Sequence, residues 1–174
     1  MAKILITGAA GFIGYHCVRN LRKKGFEIVG VDNLNDYYDP GLKHGRLKSL
    51  EGLDGFTFLK GDVADYEFMK ACTDHHPEIN TLVHLAAQAG VRYSLENPFA
   101  YGHSNLTGQL SMLELARQMK QDGRLSHFIY ASSSSVYGGN TNYPFSVQDR
   151  VDNPVSLYAA TKRSSELLAQ SYAN

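Results

Sequence analysis

The stretch Lys3-Ile4-Leu5-Ile6-Thr7-Gly8-Ala9-Ala10-Gly11-Phe12-Ile13-Gly14 decides how the rest of the chain is read. Residues 3–7 form a short apolar run ending at a glycine, which predicts a strand buried on both faces, as in a parallel sheet. From residue 12 the period changes. Ile13, Cys17, Val18 and Leu21 recur at helical spacing, while Arg19, Arg22, Lys23 and Lys24 make the solvated side and favour the C-terminal end of a helix over 12–24. Gly25 stops it. A glycine triplet between a strand and a helix is the setting in which backbone amides receive a pyrophosphate. Gly8 permits the tight turn, Gly11 lets the phosphates approach, and Gly14 lets the helix close on the strand, with Phe12 and Ile13 in the same cradle. The spacing is Gly-x-x-Gly-x-x-Gly rather than Gly-x-Gly-x-x-Gly.

Working outward, strand and helix patterns alternate. Strands are expected at about 26–31, 56–60, 80–85 and 125–131, and helices at 65–76, 99–120 and 156–173, with a short helix near 42–51 and Ser156 as N-cap of the last helix. Such alternation implies a doubly wound α/β fold of the Rossmann type: one domain over 1–174, with a parallel sheet of five strands and helices on both faces. A dinucleotide fold normally has a sixth strand, so the chain is expected to be the N-terminal part of a longer protein, with the C-terminal strands and substrate part missing.

The 174 residues carry 17 Lys plus Arg against 17 Asp plus Glu, a net charge of zero, which excludes binding of nucleic acid or an anionic membrane by bulk charge. No apolar run reaches the ~18 residues a membrane span needs. Met-Ala-Lys leads straight into the first strand, leaving no room for a secretion signal. Cys17 and Cys72 form no Cys-x-x-Cys pair and read as reduced thiols, so a cytoplasmic protein is expected. The seven histidines suggest no metal site; His84 lies inside a strand and reads as packed, and the basic run Lys43–Lys48 reads as a solvated face.

Asp32 ends the second strand, 18 residues after Gly14. An acid at about this spacing accepts hydrogen bonds from the ribose hydroxyls of NAD and repels a 2′-phosphate, and the neighbouring Asn33 offers no compensating cation, so NAD is favoured over NADP. Leu85-Ala86-Ala87 follows the fourth strand. Small residues there let the chain pass close under a cofactor, although spacing alone serves simple strand-to-helix packing equally well. Tyr158-Ala159-Ala160-Thr161-Lys162 puts a phenol and an ammonium four residues apart, on one helix face. A phenol titrates near pH 10, too high for a base at neutral pH; a nearby ammonium and a cationic nicotinamide both favour the phenolate. Ser132-Ser133-Ser134-Ser135 follows the fifth strand at the carboxyl edge of the sheet, where ligands bind in such folds.

Together with Ala86-Ala87-Gln88-Ala89-Gly90-Val91-Arg92-Tyr93-Ser94, these motifs resemble the extended branch of the short-chain dehydrogenase/reductase superfamily, and within it the UDP-glucuronate 4-epimerases. The resemblance covers the whole chain. It implies that Ser133, Tyr158 and Lys162 are catalytic: Tyr158 takes the proton from the C4 hydroxyl, Ser133 orients the oxygen, and Lys162 holds the nicotinamide ribose. It also implies adenine contacts from Asp62 and Val63, which spacing alone leaves as part of a Gly61-Asp62 turn. A UDP-sugar is the implied substrate, and helices 99–120 and 156–173 the implied homodimer interface.

Related dehydratases carry Asp-Glu where this chain has Ser134-Ser135, so dehydration chemistry is not expected. Ser134, Ser135 and Arg92 are instead candidates for reading a sugar carboxylate. UDP-glucose 4-epimerase and an inactive NAD-binding fragment are the alternatives.

Overall fold

The computed structural model describes residues 3–173. Five parallel strands, β1 (Lys3–Thr7), β2 (Glu27–Asp32), β3 (Phe56–Lys60), β4 (Ile79–His84) and β5 (His127–Tyr130), form one sheet in the order β3-β2-β1-β4-β5. Strand order reverses between β1 and β4, the switch point at whose carboxyl ends such sheets bind ligands. Register aligns those ends: Thr7 lies opposite both Val31 and His84, and Asp32 opposite Lys60.

Side-chain alternation sorts the core into two layers. Ile4, Ile6 and Ile28 pack with Val18 of α1 (Phe12–Lys23) on one face. Leu5, Val29, Val31 and Leu82 pack with Met69 and Cys72 of α3 (Tyr66–His75) and Met112, Leu115 and Met119 of α6 (Gly108–Gln121) on the other. Each such fully buried side chain contributes about 1.5–3 kcal/mol. The period of two along a strand forces this division, and it is why apolar runs rather than alternating ones marked the strands.

Five strands stand where the sequence predicts them, within two residues at each end. Asp32 belongs to β2 itself, because its pairing with Lys60 prolongs the ladder. Local caps set the helix starts that periodicity leaves loose. The Asp39 side chain accepts from Gly41 N at 2.8 Å, which starts α2 (Pro40–Lys48) earlier than expected. Asp65 accepts from Phe68 N at 3.0 Å at the start of α3. Ser156 accepts from Ala159 N at 3.0 Å and caps α7 (Leu157–Ala173).

The predicted helix 99–120 is one continuous rod made of α5 (Pro98–Tyr101), a π-helical stretch over Gly102–Thr107, and α6, with right-handed helical dihedrals at the joins. A one-turn helix, α4 (Tyr93–Glu96), precedes it. No helix among the described residues is long and apolar enough to cross a membrane.

Candidate functional site

The glycine cradle closes by steric necessity. A Cβ on Gly14 would lie 2.0 Å from the Gly8 carbonyl oxygen, and one on Gly8 would lie 2.9 Å from Ala86 N. Gly8 also takes a positive φ of 71°, a backbone conformation that side chains disfavour. No side chain caps the N-terminus of α1, so the first-turn amides of the helix stay available to an anion at the positive end of its dipole.

Beside the cradle lies a cavity of about 550 Å³. Gly8, Gly11, Phe12, Ile13, Gly14, Asp32, Asn33, Val63, Leu85, Ala86 and Ala87 all line it, so residues chosen from four separate loops converge. Asp62 stands just behind the wall formed by its neighbours Gly61 and Val63, and accepts from Asn33 Nδ2 at 3.1 Å. Burial pushes the Asp62 carboxyl up, but the Ala64 amide, Asn33 and His103 outweigh it and hold the group below its ordinary value.

Asp32 is buried and its carboxylate is held from several sides. Oδ2 accepts from Ala10 N at 3.1 Å and Oδ1 from Leu34 N at 2.9 Å. Lys43 Nζ lies 3.5 Å from the same Oδ1 and donates to Asn35 Oδ1 at 2.7 Å. Arg46 Nη1 reaches Ala10 O at 3.1 Å and the Tyr38 hydroxyl at 3.0 Å. These contacts correct the reading of 43–48 as a solvated face and of the Asp32 surroundings as lacking a cation. Lys43 is only 5% exposed, and Lys43 and Arg46 both line the cavity together with Tyr37 and Tyr38. The signal missed was the i, i+3 spacing of Lys43 and Arg46, which puts both on the inner face of α2.

The chain leaving β4 is fixed by a hydroxyl. Thr7 Oγ1 accepts from Leu85 N at 3.2 Å and Ala86 N at 3.1 Å and pairs with His84 Nδ1 at 2.8 Å. With both amides donating, the hydroxyl proton goes to Nδ1, so His84 is neutral with its own proton on Nε2. Burial, helped by the charge of Lys162, pushes His84 down to about 3.

The remaining candidates lie beyond the cavity wall, toward β5. Lys162 is buried and donates to the carbonyl of Ala131, itself a lining residue, at 2.9 Å; burial lowers its affinity for a proton. Tyr158, one turn earlier on α7, is half-buried with its ring edge-on to Tyr101, centroids 6.1 Å apart. Ser133 Oγ accepts from Ser135 N at 3.2 Å and donates to Ser135 Oγ at 3.2 Å, capping the turn Ser134–Tyr137 that packs against α7. Ser134 and Arg92 are exposed and do not line the cavity. The structure thus gathers the glycine, acid and small-residue motifs in one cleft, sets Tyr158 and Lys162 on one helix at its β5 end, and leaves Arg92 outside it.

A sequence profile of the family described as GDP-mannose 4,6 dehydratase matches residues 5–174. Protein CapI of Staphylococcus aureus is 51% identical over 173 residues, 99% of this chain and 50% of its own length. UDP-glucuronate 4-epimerase 3 of Arabidopsis thaliana is 46% identical over 169 residues, 97% of this chain and 38% of its own. The crystal structure of UDP-glucuronic acid 4-epimerase from Bacillus cereus, in complex with UDP-glucuronic acid and NAD, superposes with a TM-score of 0.85 at 34% identity, covering 98% of this chain and 52% of that one. The chain spans about half the length, or less, of the curated relatives it matches.

Proposed function

Because the chain belongs to the GDP-mannose 4,6 dehydratase family, we propose that it carries the cofactor-binding part of an NAD-dependent nucleotide-sugar 4-epimerase that converts UDP-glucuronate to UDP-galacturonate. The observation that carries this reading is the cleft. Glycine cradle, uncapped helix terminus and buried Asp32 stand in line, and the Tyr158–Lys162 face adjoins its β5 end through Ala131. These residues fit a dinucleotide: first-turn amides for the pyrophosphate, a carboxylate for a ribose diol, and small residues 85–87 where a flat ring must pass close.

When bound, NAD supplies a hydride acceptor and donor, so that C4 of the sugar can pass through a ketone with no net oxidation. Tyr158 acts as the base on the C4 hydroxyl and later returns the proton. The Lys162 ammonium, tethered to Ala131 and held away from water, places a positive charge on the same helix face as that phenol. Ser133, capping its turn, holds a hydroxyl at the carboxyl end of β5 to bond the C4 oxygen. Ser134 and Ser135 stand where dehydratases carry acids. Hydroxyls there can donate to the sugar carboxylate, with the exposed Arg92 of the loop after β4 as a further cation.

The same reading pairs two copies through the rod 99–120 and α7, whose Leu106, Leu110 and Leu167 are exposed. A light-scattering mass of twice the chain tests that pairing.

The activity test is incubation with NAD and UDP-glucuronate, followed by separation of the C4 epimers, using the chain alone and the chain fused to the C-terminal half of the Bacillus cereus enzyme. Formation of UDP-galacturonate is expected. Turnover of UDP-glucose alone would move the assignment to the UDP-glucose 4-epimerases, and NAD binding without turnover in either form would leave a cofactor-binding module.

A further inference from the structure

The π-helical stretch Gly102–Thr107 sits in the middle of the rod that runs past the cleft, and two buried polar side chains, Tyr101 just before it and Asn105 within it, bond the same segment of loop. Tyr101 is fully buried and Asn105 is 3% exposed. The Tyr101 hydroxyl donates to Ala89 O at 2.7 Å and also contacts Gly90 O. Asn105 Oδ1 accepts from Gln88 N at 2.8 Å, while its Nδ2 donates to Gln88 O and to Thr161 Oγ1, both at 3.0 Å. A carboxamide can engage both the N–H and the C=O of one residue, as a neighbouring strand would; a carboxylate or an aliphatic group cannot. Three consecutive residues, 88 to 90, are therefore held through their backbone by two side chains of one helix turn.

The other side of the same pair meets the catalytic helix. The Tyr101 ring lies edge-on to Tyr158, and Thr161, which bonds Asn105, donates to the Tyr158 carbonyl at 2.9 Å. Ser165 Oγ reaches Asn105 O at 3.4 Å. Gln88 and Ala89 line the cavity, and Gly90, at φ 95°, lets the chain pass so close to Tyr37 that a Cβ would come within 2.4 Å of its hydroxyl. Helices that carry π turns in mid-course often do so at functional sites, and here the widened turn sets the clasp residues over one stretch of loop.

We propose that Tyr101 and Asn105 are positioning residues that clasp the loop 88–92 to the Tyr158 helix and so set the nicotinamide end of the cleft. The proposal rests on the NAD reading above. Neither residue is assigned contact with substrate; both act through Gln88–Gly90 on one side and Tyr158–Thr161 on the other. Burial raises the Tyr101 phenol to about 12, so it remains a donor at any working pH.

The test compares NAD with ADP, which shares the adenosine and pyrophosphate but lacks the nicotinamide riboside. Titrations of the wild-type chain, Tyr101→Phe and Asn105→Asp would be paired with amide hydrogen exchange. Tyr101→Phe keeps the ring against Tyr158 and removes only the tie to Ala89 and Gly90; Asn105→Asp keeps the acceptor for Gln88 N and removes the donor. In both variants NAD is expected to weaken about tenfold, the effect of losing one or two buried hydrogen bonds, with ADP unchanged and exchange accelerated at 88–92 alone. Equal weakening of NAD and ADP, or unchanged NAD affinity in whichever variant folds, would overturn the clasp. Failure of the wild-type chain to bind NAD at all would instead overturn the function proposed above, and it would show in the first titration.

Discussion

Lys43 Nζ lies 3.5 Å from Asp32 Oδ1, and both side chains are about 6% exposed. A cation thus stands beside the carboxylate that closes the β2 end of the cleft. Removing a partner from a buried pair leaves the other charge uncompensated, which can cost 3–5 kcal/mol. Asp32 keeps the Ala10 and Leu34 amides, so Lys43→Met should cost less, about 1–3 kcal/mol, in chemical denaturation. An unchanged midpoint would mean that the pair contributes nothing to the fold.

Tyr158→Phe should lower epimerisation by about 10²–10⁴-fold in whichever form turns over UDP-glucuronate, the usual cost of losing a general base. NAD affinity should stay within about twofold, because the phenol lies outside the cavity wall to which the proposed function assigns the adenosine and pyrophosphate. A rate near normal would mean that another group moves the proton.

The sheet was legible because short apolar runs recur between helical patterns, with β1 and β3 each closed by a glycine and β2 by the polar Asn33; β1 through Gly14 alone conveys strand, turn and helix. The cleft was legible to the extent that its residues follow strands directly, as Asp32 and Leu85–Ala87 do. Lys43 and Arg46 were not, since a run of basic residues on a short helix looks solvated until the tertiary fold turns one face inward. Nor was the π turn, because a single widened turn leaves the apolar period of the long helix almost intact. The segment 88–97 gave no periodic signal, for it is held by the side chains of Tyr101 and Asn105 rather than by its own ladder or by a helix longer than one turn.

Replacing Ser134 and Ser135 together by Ala should reduce turnover of UDP-glucuronate well beyond that of UDP-glucose, on which only the lost Ser133–Ser135 hydrogen bond acts. Each charge-assisted hydrogen bond to a carboxylate is worth about 1.5–3 kcal/mol, so a loss of tenfold or more is expected on the acid sugar. Relative rates on the two sugars measure it. Equal losses on both, or no loss on either, would remove the carboxylate-reading role.

His84 ties stability to pH. An unfolded chain protonates this residue below about pH 6.5, whereas the folded protein resists until about 3. Across that window the unfolded state binds more protons, so stability rises with pH. The contribution is complete above 6.5 and is lost as pH falls toward 3, by as much as a few kcal/mol. Unfolding free energies from pH 8 to 3 should show this slope, and His84→Gln should flatten it. A slope that is the same in both proteins would place the titration elsewhere.

The most direct test of the central claim is calorimetric titration of the chain with NAD and NADP, repeated with Asp32→Ala. The account predicts one NAD per chain, at least tenfold weaker binding of NADP, and in Asp32→Ala weaker NAD together with a narrowed preference, since Lys43 and Arg46 remain in the cavity lining beside position 32. No NAD binding, or equal affinity of the unmodified chain for NAD and NADP, would contradict it.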